Sequence, residues 1–445
     1  MARACFIRSE SNFISCKILR KLLTIFHYTG LVSLPGFYAM EQANRLHRLY
    51  KNLTHALCVL AMLSNMASTV IYSIKEQPEF LMKSIDNIGS LLLFVELYLN
   101  NLHLSELIAL VHQVEKLTLH DPKVLKRCQR QEKIFFYTFI TLLFASFASL
   151  FVESVIPLPQ EEIDFLARIY DRKHPENRLP VNMWIFYIDT SDPAYFYYIY
   201  IFETYFLGLA FILGINLFTF CPIILIYLSG QYYILEKCLV QLGSTTNQEN
   251  GLVHYTDLWN NKFIVLSSQC QSGKKGRTQS TVRQHALHDV LQIKQMVIFH
   301  QKLIELQRKY YDIFSTVFKF RVILMGLNFT LCIYQTTFLD ILPKQKMTKV
   351  LAEVCLTACN YFYICIMSEV MESSNNGLRL AIYNSHWYNL CRPARQHVVM
   401  FLQRSQTPSH IRTFGGTVVL GYTHFTRVLR LEYNVVNFLK LKSIR

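Results

Sequence analysis

Charge is what this chain has least of. Asp, Glu, Lys and Arg make up 17% of its 445 residues, against 52% hydrophobic and 14% aromatic, with a mean hydropathy of +0.22. A soluble globular domain needs roughly a quarter of its residues charged to cover its surface. The balance here excludes that class and points to a polytopic helical membrane protein. Acidic residues are scarcer still, 30 against 45 Lys plus Arg, for a net charge of +15. Such an excess can mark a nucleic-acid binder. Here, however, the basic residues lie between apolar runs instead of gathering in one basic, aromatic-rich domain, so they read as topology signals and no nucleic-acid partner is expected.

Other absences narrow the class. The N-terminus scatters Arg8, Lys17, Arg20 and Lys21 through short apolar pieces and has no clean apolar run before a small-residue cleavage site, so no removable signal peptide is expected. None of the twelve cysteines lies in the loop placed outside below, and none has the spacing and flanking histidines of a zinc site, so neither a disulfide framework nor a metal is expected. Cys355 and Cys359 read as packing, and His285 with His288 as a chance pair. Gly273-Lys274-Lys275-Gly276-Arg277 lacks the Gly-x-x-x-x-Gly-Lys-Ser/Thr spacing of a phosphate loop. No nucleophile and base pair falls inside the apolar runs, so neither an enzyme nor a cofactor is expected. An internal repeat with matching interrupted spans, the mark of many secondary transporters, is also missing.

What is present is a series of apolar runs. Residues 53–74, 85–104, 134–156, 195–228, 322–342 and 350–371 each reach the roughly 20 residues needed to cross the hydrocarbon core. A weaker seventh run covers 414–441. The expected fold class is therefore an all-α membrane protein with seven transmembrane helices. Residues 1–52 suit an amphipathic stretch at the membrane surface. The segment 229–312 is too polar to span, and helices within it, such as 290–309, would carry the fourth and fifth spans into the cytosol. Its polar piece 268–284 is unlike its flanks. The chain thus divides into 1–52, 53–228 with an outer loop at 157–194, 229–312, 313–371, 372–411 and 412–445.

Basic residues choose the orientation. Segments 1–52, 105–133, 229–312 and 372–413 hold 8, 6, 10 and 5 Lys plus Arg. The opposite side has Lys75 and Lys83 after the first span, Lys344, Lys346 and Lys349 before the sixth, and four basic residues against seven acids in the long loop. The N-terminus is expected in the cytosol and the C-terminus outside. That orientation is opposite to that of a G-protein-coupled receptor, whose outer two-cysteine clamp and Asp-Arg-Tyr triplet are absent as well.

The seventh run is the one least able to live in lipid. Arg427, Arg430, Asn434 and Asn437 recur at steps of three, four and three, which puts them on one helical stripe. A charge facing the bilayer centre costs at least about 2.5 kcal/mol. Two arrangements answer that cost: several copies surrounding a water-filled axis, or one helix buried among its neighbours with the arginines snorkelling toward headgroups.

After the sixth span the chain reads Ser374-Asn375-Asn376-Gly377, then Ala381-Ile382-Tyr383-Asn384-Ser385-His386-Trp387-Tyr388. Next come Leu402-Gln403-Arg404-Ser405-Gln406-Thr407-Pro408, Phe425-Thr426-Arg427-Val428-Leu429-Arg430 and Tyr433-Asn434. This resembles the C-terminal signature of insect odorant receptors. Tyr28-Thr29-Gly30-Leu31 and an outer loop ending in Trp184 and Asp192-Pro193 fit the same family, while Asn434 stands where it commonly has serine.

The resemblance implies a ligand-gated, non-selective cation channel in the plasma membrane of sensory-neuron dendrites. Its tuning subunits assemble with a shared co-receptor into a heterotetramer. Arg430, Tyr433, Asn434, Asn437, Phe438 and Leu441 are then assigned to the pore helix, with Phe438 near the outer constriction and the arginines at the inner mouth or between subunits. Tyr383, Trp387 and Tyr388 fall in the cytosolic subunit anchor. Volatile ligands are small and mostly apolar, so they need an enclosed aromatic pocket with one or two polar groups. Phe94, Tyr98, Phe147, Phe151, Tyr205, Phe206 and Tyr363 are the candidate lining. Glu96 and Glu203, as carboxylates within spans, must be paired, hydrated or protonated; structural pairing and ligand contact are both open. Trp184, Asp189 and Asp192 would fold the outer loop as a lid.

Overall fold

The computed structural model describes residues 17–34, 37–38, 40–118, 121–155, 160–174, 176–185, 188–243, 252–257, 262–266, 279–338 and 344–443. The polar piece 268–284 lies largely outside them. The described residues are dominated by eleven α-helices: α1 Lys17–Tyr28, α2 Glu41–Ile71, α3 Gln77–Leu102, α4 Leu104–Thr118, α5 Pro122–Val155, α6 Gln160–Tyr170, α7 Pro193–Val240, α8 Gln279–Gln335, α9 Lys344–Asn384, α10 Arg392–Ser405 and α11 Tyr422–Ser443. Five of them, α2, α5, α7, α8 and α9, are long and apolar enough to cross a membrane. Helices α3 and α11, of 26 and 22 residues, have the length but more polar sequences.

The helices outrun the apolar runs that announce them. α7 has 48 residues and α8 has 57, so each runs past its apolar run into segment 229–312. α8 passes unbroken through the boundary at 312/313, and α9 through that at 371/372. Hydropathy sees only the lipid-facing length, whereas the extensions are amphipathic and bury one stripe against each other. Two small antiparallel ladders depart from the purely helical expectation. Strands β1 Leu252–Asp257 and β2 Lys262–Leu266 are rich in β-branched and aromatic residues.

The other ladder, β3 Arg412–Thr413 with β4 Val418–Val419, corrects the start of the seventh run. Residues 414–421 are not helical continuations of α11. Phe414, Gly415 and Gly416 all have positive φ, at 52°, 68° and 94°, and a left-handed run of this kind breaks an α-helix. The helix therefore begins only at Tyr422.

The core gathers on α7, whose middle is buried on every side, with α3, α5, α8 and α9 packed around it. Below the spans, the ends of α7, α8 and α9 form a second bundle with α10. A hydrogen-bond chain laces it: Tyr232 to Gln307 at 2.7 Å, Gln307 to Tyr311 at 2.8 Å, Tyr311 to the Ser409 carbonyl at 2.7 Å, and the Ser409 amide to Glu372 at 2.6 Å. Asn375 donates to the carbonyls of Ser405 and Thr407 at the end of α10. Two pieces of the C-terminal signature are thereby joined by one side chain. Gly243, with φ of 72°, sits where a Cβ would collide with the His386 carbonyl, so that close approach requires glycine.

Candidate ligand-binding site

Between α2, α3, α5, α7, α8 and α9 lies a cavity of about 160 Å³. Small side chains open it. Gly89 and Ser90 on α3, Ser146 on α5, and Ala210 and Gly214 on α7 keep the helices from filling the space, while Phe147, Phe206, Phe218, Met325 and Leu356 give it apolar walls. Polar groups enter from Asn65, Asp86, Asn328, Glu353, Thr357 and Asn360. A smaller void of about 20 Å³ adjoins it through Ser90, Leu93, Phe206 and Ala210, and Phe94 lines that extension.

Of the candidate lining residues, the structure brings Phe147 and Phe206 to the main cavity and Phe94 to its annex. Tyr363 is fully buried one layer beneath, stacked on Phe135 with centroids 4.1 Å apart and edge-on to Phe139, which in turn stacks on the cavity residue Phe218. Tyr98 and Tyr205 point outward, and Tyr205 meets Tyr50. Phe151 belongs to α5, but its side chain lies outside the described residues.

Both intramembrane carboxylates are paired. Glu96 is gripped by Arg321, whose Nε donates to Oε2 at 2.9 Å and whose Nη2 donates to Oε1 and, at 2.6 Å, to the Leu217 carbonyl. Glu203 is fully buried and accepts the amides of Val181 and Met183, each at 2.9 Å. Since Val181 and Pro180 close one end of the cavity, Glu203 acts as a latch for the segment that seals it. Lys83 reinforces the latch by donating to the Val181 carbonyl. Trp184 joins through its backbone: its amide reaches the Ser64 carbonyl at 3.3 Å, and Ser64 Oγ donates to its carbonyl. Asp189 holds Ser191, and Asp192 caps α7 through the Ala194 amide at 2.9 Å. The described residues of this segment are thus tied to α2, α3 and α7, with Pro180 and Val181 against the cavity.

Sequence reading missed Arg321, which stood one residue before the fifth apolar run. A buried carboxylate on one span calls for a cation on another, and that demand was the available signal. It also missed Asn65 on α2 and the cluster at the outer ends of α3 and α9, where Lys349 lies 3.0 Å from Asp86 and 3.7 Å from Glu353. Among the described residues no group of three His, Cys, Asp or Glu could hold a metal ion.

Helix α11 stands apart from the cavity. It docks on α8 and α9 through His424, Phe425, Val428, Glu432 and Val436, with His424 2.9 Å from the Tyr361 hydroxyl. The opposite face carries Arg427, Arg430, Tyr433, Asn434, Asn437 and Phe438, all exposed, Phe438 at 65%. The polar stripe is therefore left open by the chain's own helices and not buried among them. Leu441 belongs to the same helix, but its side chain lies outside the described residues. On the bundle formed by the ends of α7, α8 and α9 with α10, Tyr383 is 80% exposed, with Trp387 and Tyr388 exposed beside it. Exposed aromatic patches of this kind mark contact surfaces.

A family model described as 7tm odorant receptor matches residues 80–433. The chain is 28% identical over 154 residues to Odorant receptor 88a of Drosophila melanogaster, a match covering 33% of this chain and 36% of that relative's length. Among solved structures it is similar to the insect olfactory receptor OR5 from Machilis hrabei, with a TM-score of 0.68 at 13% identity over 95% of this chain and 97% of that one. The structure of the same receptor in complex with eugenol gives a TM-score of 0.69 at 12% identity, over 96% and 98%. At such identities the likeness establishes the fold.

Proposed function

This chain belongs to the insect odorant receptor family, and from that membership we propose that it is the odorant-binding, tuning subunit of a heteromeric ligand-gated cation channel. The observation that carries the reading is the largely apolar cavity between α2, α3, α5, α7, α8 and α9, bordered by the segment that Glu203 latches. Its volume suits one small organic molecule, since a cavity of about 150 Å³ accepts benzene. The structure of the Machilis hrabei receptor in complex with eugenol supports the same assignment by analogy.

In this reading α3 and α11 join the five apolar helices as the remaining two of seven spans, with the N-terminus in the cytosol and the C-terminus outside, as the basic residues favour. The open face of α11 turns toward a central axis shared with a co-receptor. There Asn434 and Asn437 offer polar lining, and Phe438 supplies an apolar ring that blocks ions by dewetting until it widens. Tyr383, Trp387 and Tyr388 meet neighbouring subunits on the cytosolic bundle. The complex sits in the dendritic plasma membrane of a sensory neuron and binds small volatile molecules.

The test is whole-cell current in cells expressing the chain alone and with an insect co-receptor, challenged with a panel of volatiles while G-protein signalling is blocked. A fast inward cation current that requires the co-receptor supports the proposal. A response abolished by the G-protein block overturns it.

A further inference from the structure

Asn65 is 2% exposed and lines the cavity, yet its Oδ1 is buried without a protein partner. Its orientation is fixed by a chain of hydrogen bonds. The Thr69 hydroxyl gives its one proton to the Asn65 carbonyl at 3.0 Å. Thr69 Oγ1 must then accept from Asn87, whose Nδ2 lies 2.7 Å away. Asn87 therefore presents Oδ1 to Asn65 and accepts from Asn65 Nδ2 at 2.8 Å. Each step leaves one choice, and the last leaves Asn65 Oδ1 as the unsatisfied atom. Asn328 adds a second buried, unpartnered oxygen, with its Nδ2 3.4 Å from Thr357 Oγ1. Buried acceptors of this kind are rare and ask for a donor.

The charges in the wall do not ask for a cation. Asp86 and Glu353 share Lys349, and Lys83, which also faces Glu79 and Glu203, interacts electrostatically with Asp86, so both wall carboxylates already have a lysine partner. What Asn65 Oδ1 lacks is a proton donor.

Resting on the odorant-receptor reading of this cavity, we propose that it selects small neutral volatiles bearing a hydroxyl group, and that Asn65 Oδ1 accepts the hydroxyl proton. A hydroxyl replaces any water on that oxygen at no loss of hydrogen bonding, whereas an ether or hydrocarbon of the same size leaves the oxygen bare. The remaining wall, apolar and aromatic, holds the carbon skeleton.

Benzyl alcohol and its isomer anisole separate the two cases, because they have the same atoms and only the alcohol donates. Thermal stabilisation of the purified full-length chain reads binding without requiring a current. The expected result is a half-maximal concentration about tenfold lower for benzyl alcohol, a preference lost in Asn65→Leu. Anisole stabilising the wild-type chain as well as the alcohol, or neither compound stabilising it, would overturn the inference. Co-receptor-dependent currents from other volatiles would then leave the channel reading standing. Selective stabilisation by benzyl alcohol without any current would support the inference and count against the channel. The wild-type comparison decides the matter even if Asn65→Leu fails to fold.

Discussion

Arg321 and Glu96 lie 225 residues apart in sequence and meet as a two-pronged ion pair, each 2% exposed, between α8 and α3. Arginine's planar fork matches a carboxylate, and the third bond to the Leu217 carbonyl brings α7 into the same knot. Removing one partner strands a buried charge. Glu96→Ala or Arg321→Ala is expected to cost about 3–5 kcal/mol of stability, read as a large loss of surface expression and thermal stability in detergent. Replacing both by apolar residues of similar volume should restore much of it. A single variant as stable as the wild-type chain would remove the pair from its structural role.

The Glu203 latch is local to the cavity mouth. Glu203→Ala leaves the Val181 and Met183 amides without their acceptor, at a cost of about 1–3 kcal/mol for each buried donor left unsatisfied. The segment sealing the cavity should loosen. We expect weaker odorant potency with the reversal of the pore current unchanged, measured as a rightward shift of the dose–response curve.

Gly89 gives the cleanest way to fill the cavity. A Cβ built there meets nothing within 4 Å, and leucine is a better helix former than glycine by about 0.5–1 kcal/mol. Gly89→Leu should therefore fold at least as well as the wild-type chain while abolishing responses to volatiles. Undiminished responses would place the ligand elsewhere.

The open face of α11 yields a prediction about conduction. Asn437→Leu should change ion selectivity or conductance of the complex, because it removes a polar group from the proposed pore lining. Phe438→Ala should raise the current in the absence of ligand by weakening the apolar ring. Both leave the cavity intact, so agonist rank order should not change; a changed order with normal conduction would sink the assignment.

His27 makes stability depend on pH. It stacks on His47 with centroids 3.8 Å apart, and its Nδ1 accepts the Leu34 amide at 3.3 Å. Burial, with the neighbouring His47, pushes its pKa down from 6.5 to about 4. The unfolded chain takes up a proton near 6.5 while the folded chain resists until about 4, so this contribution to stability is complete above 6.5 and declines as pH falls toward 4. His27→Phe, which keeps the stack, should lessen the fall in melting temperature across that window, leaving the share of His300, whose pKa burial also lowers to about 4. An identical pH profile in the variant would exclude His27 as its source.

Composition and hydropathy by themselves determined that the chain is helical and membrane-directed, and the three-four-three spacing of Arg427, Arg430, Asn434 and Asn437 determined that they share one face of a helix. These are properties of neighbouring residues, and neighbouring residues carry them wherever the helix ends up. The sequence also placed Phe94, Phe147 and Phe206 on outer helix halves, and flagged Glu96 and Glu203 as carboxylates in need of partners. Only the tertiary structure decided which partners they have, since Arg321 and the Val181–Met183 backbone come from distant stretches whose approach depends on how helices pack. The same packing turned Tyr98 and Tyr205 outward, set Tyr363 beneath the cavity and left Asn65 Oδ1 in its wall. A cavity is the space that several helices fail to fill, so no single stretch of sequence records it.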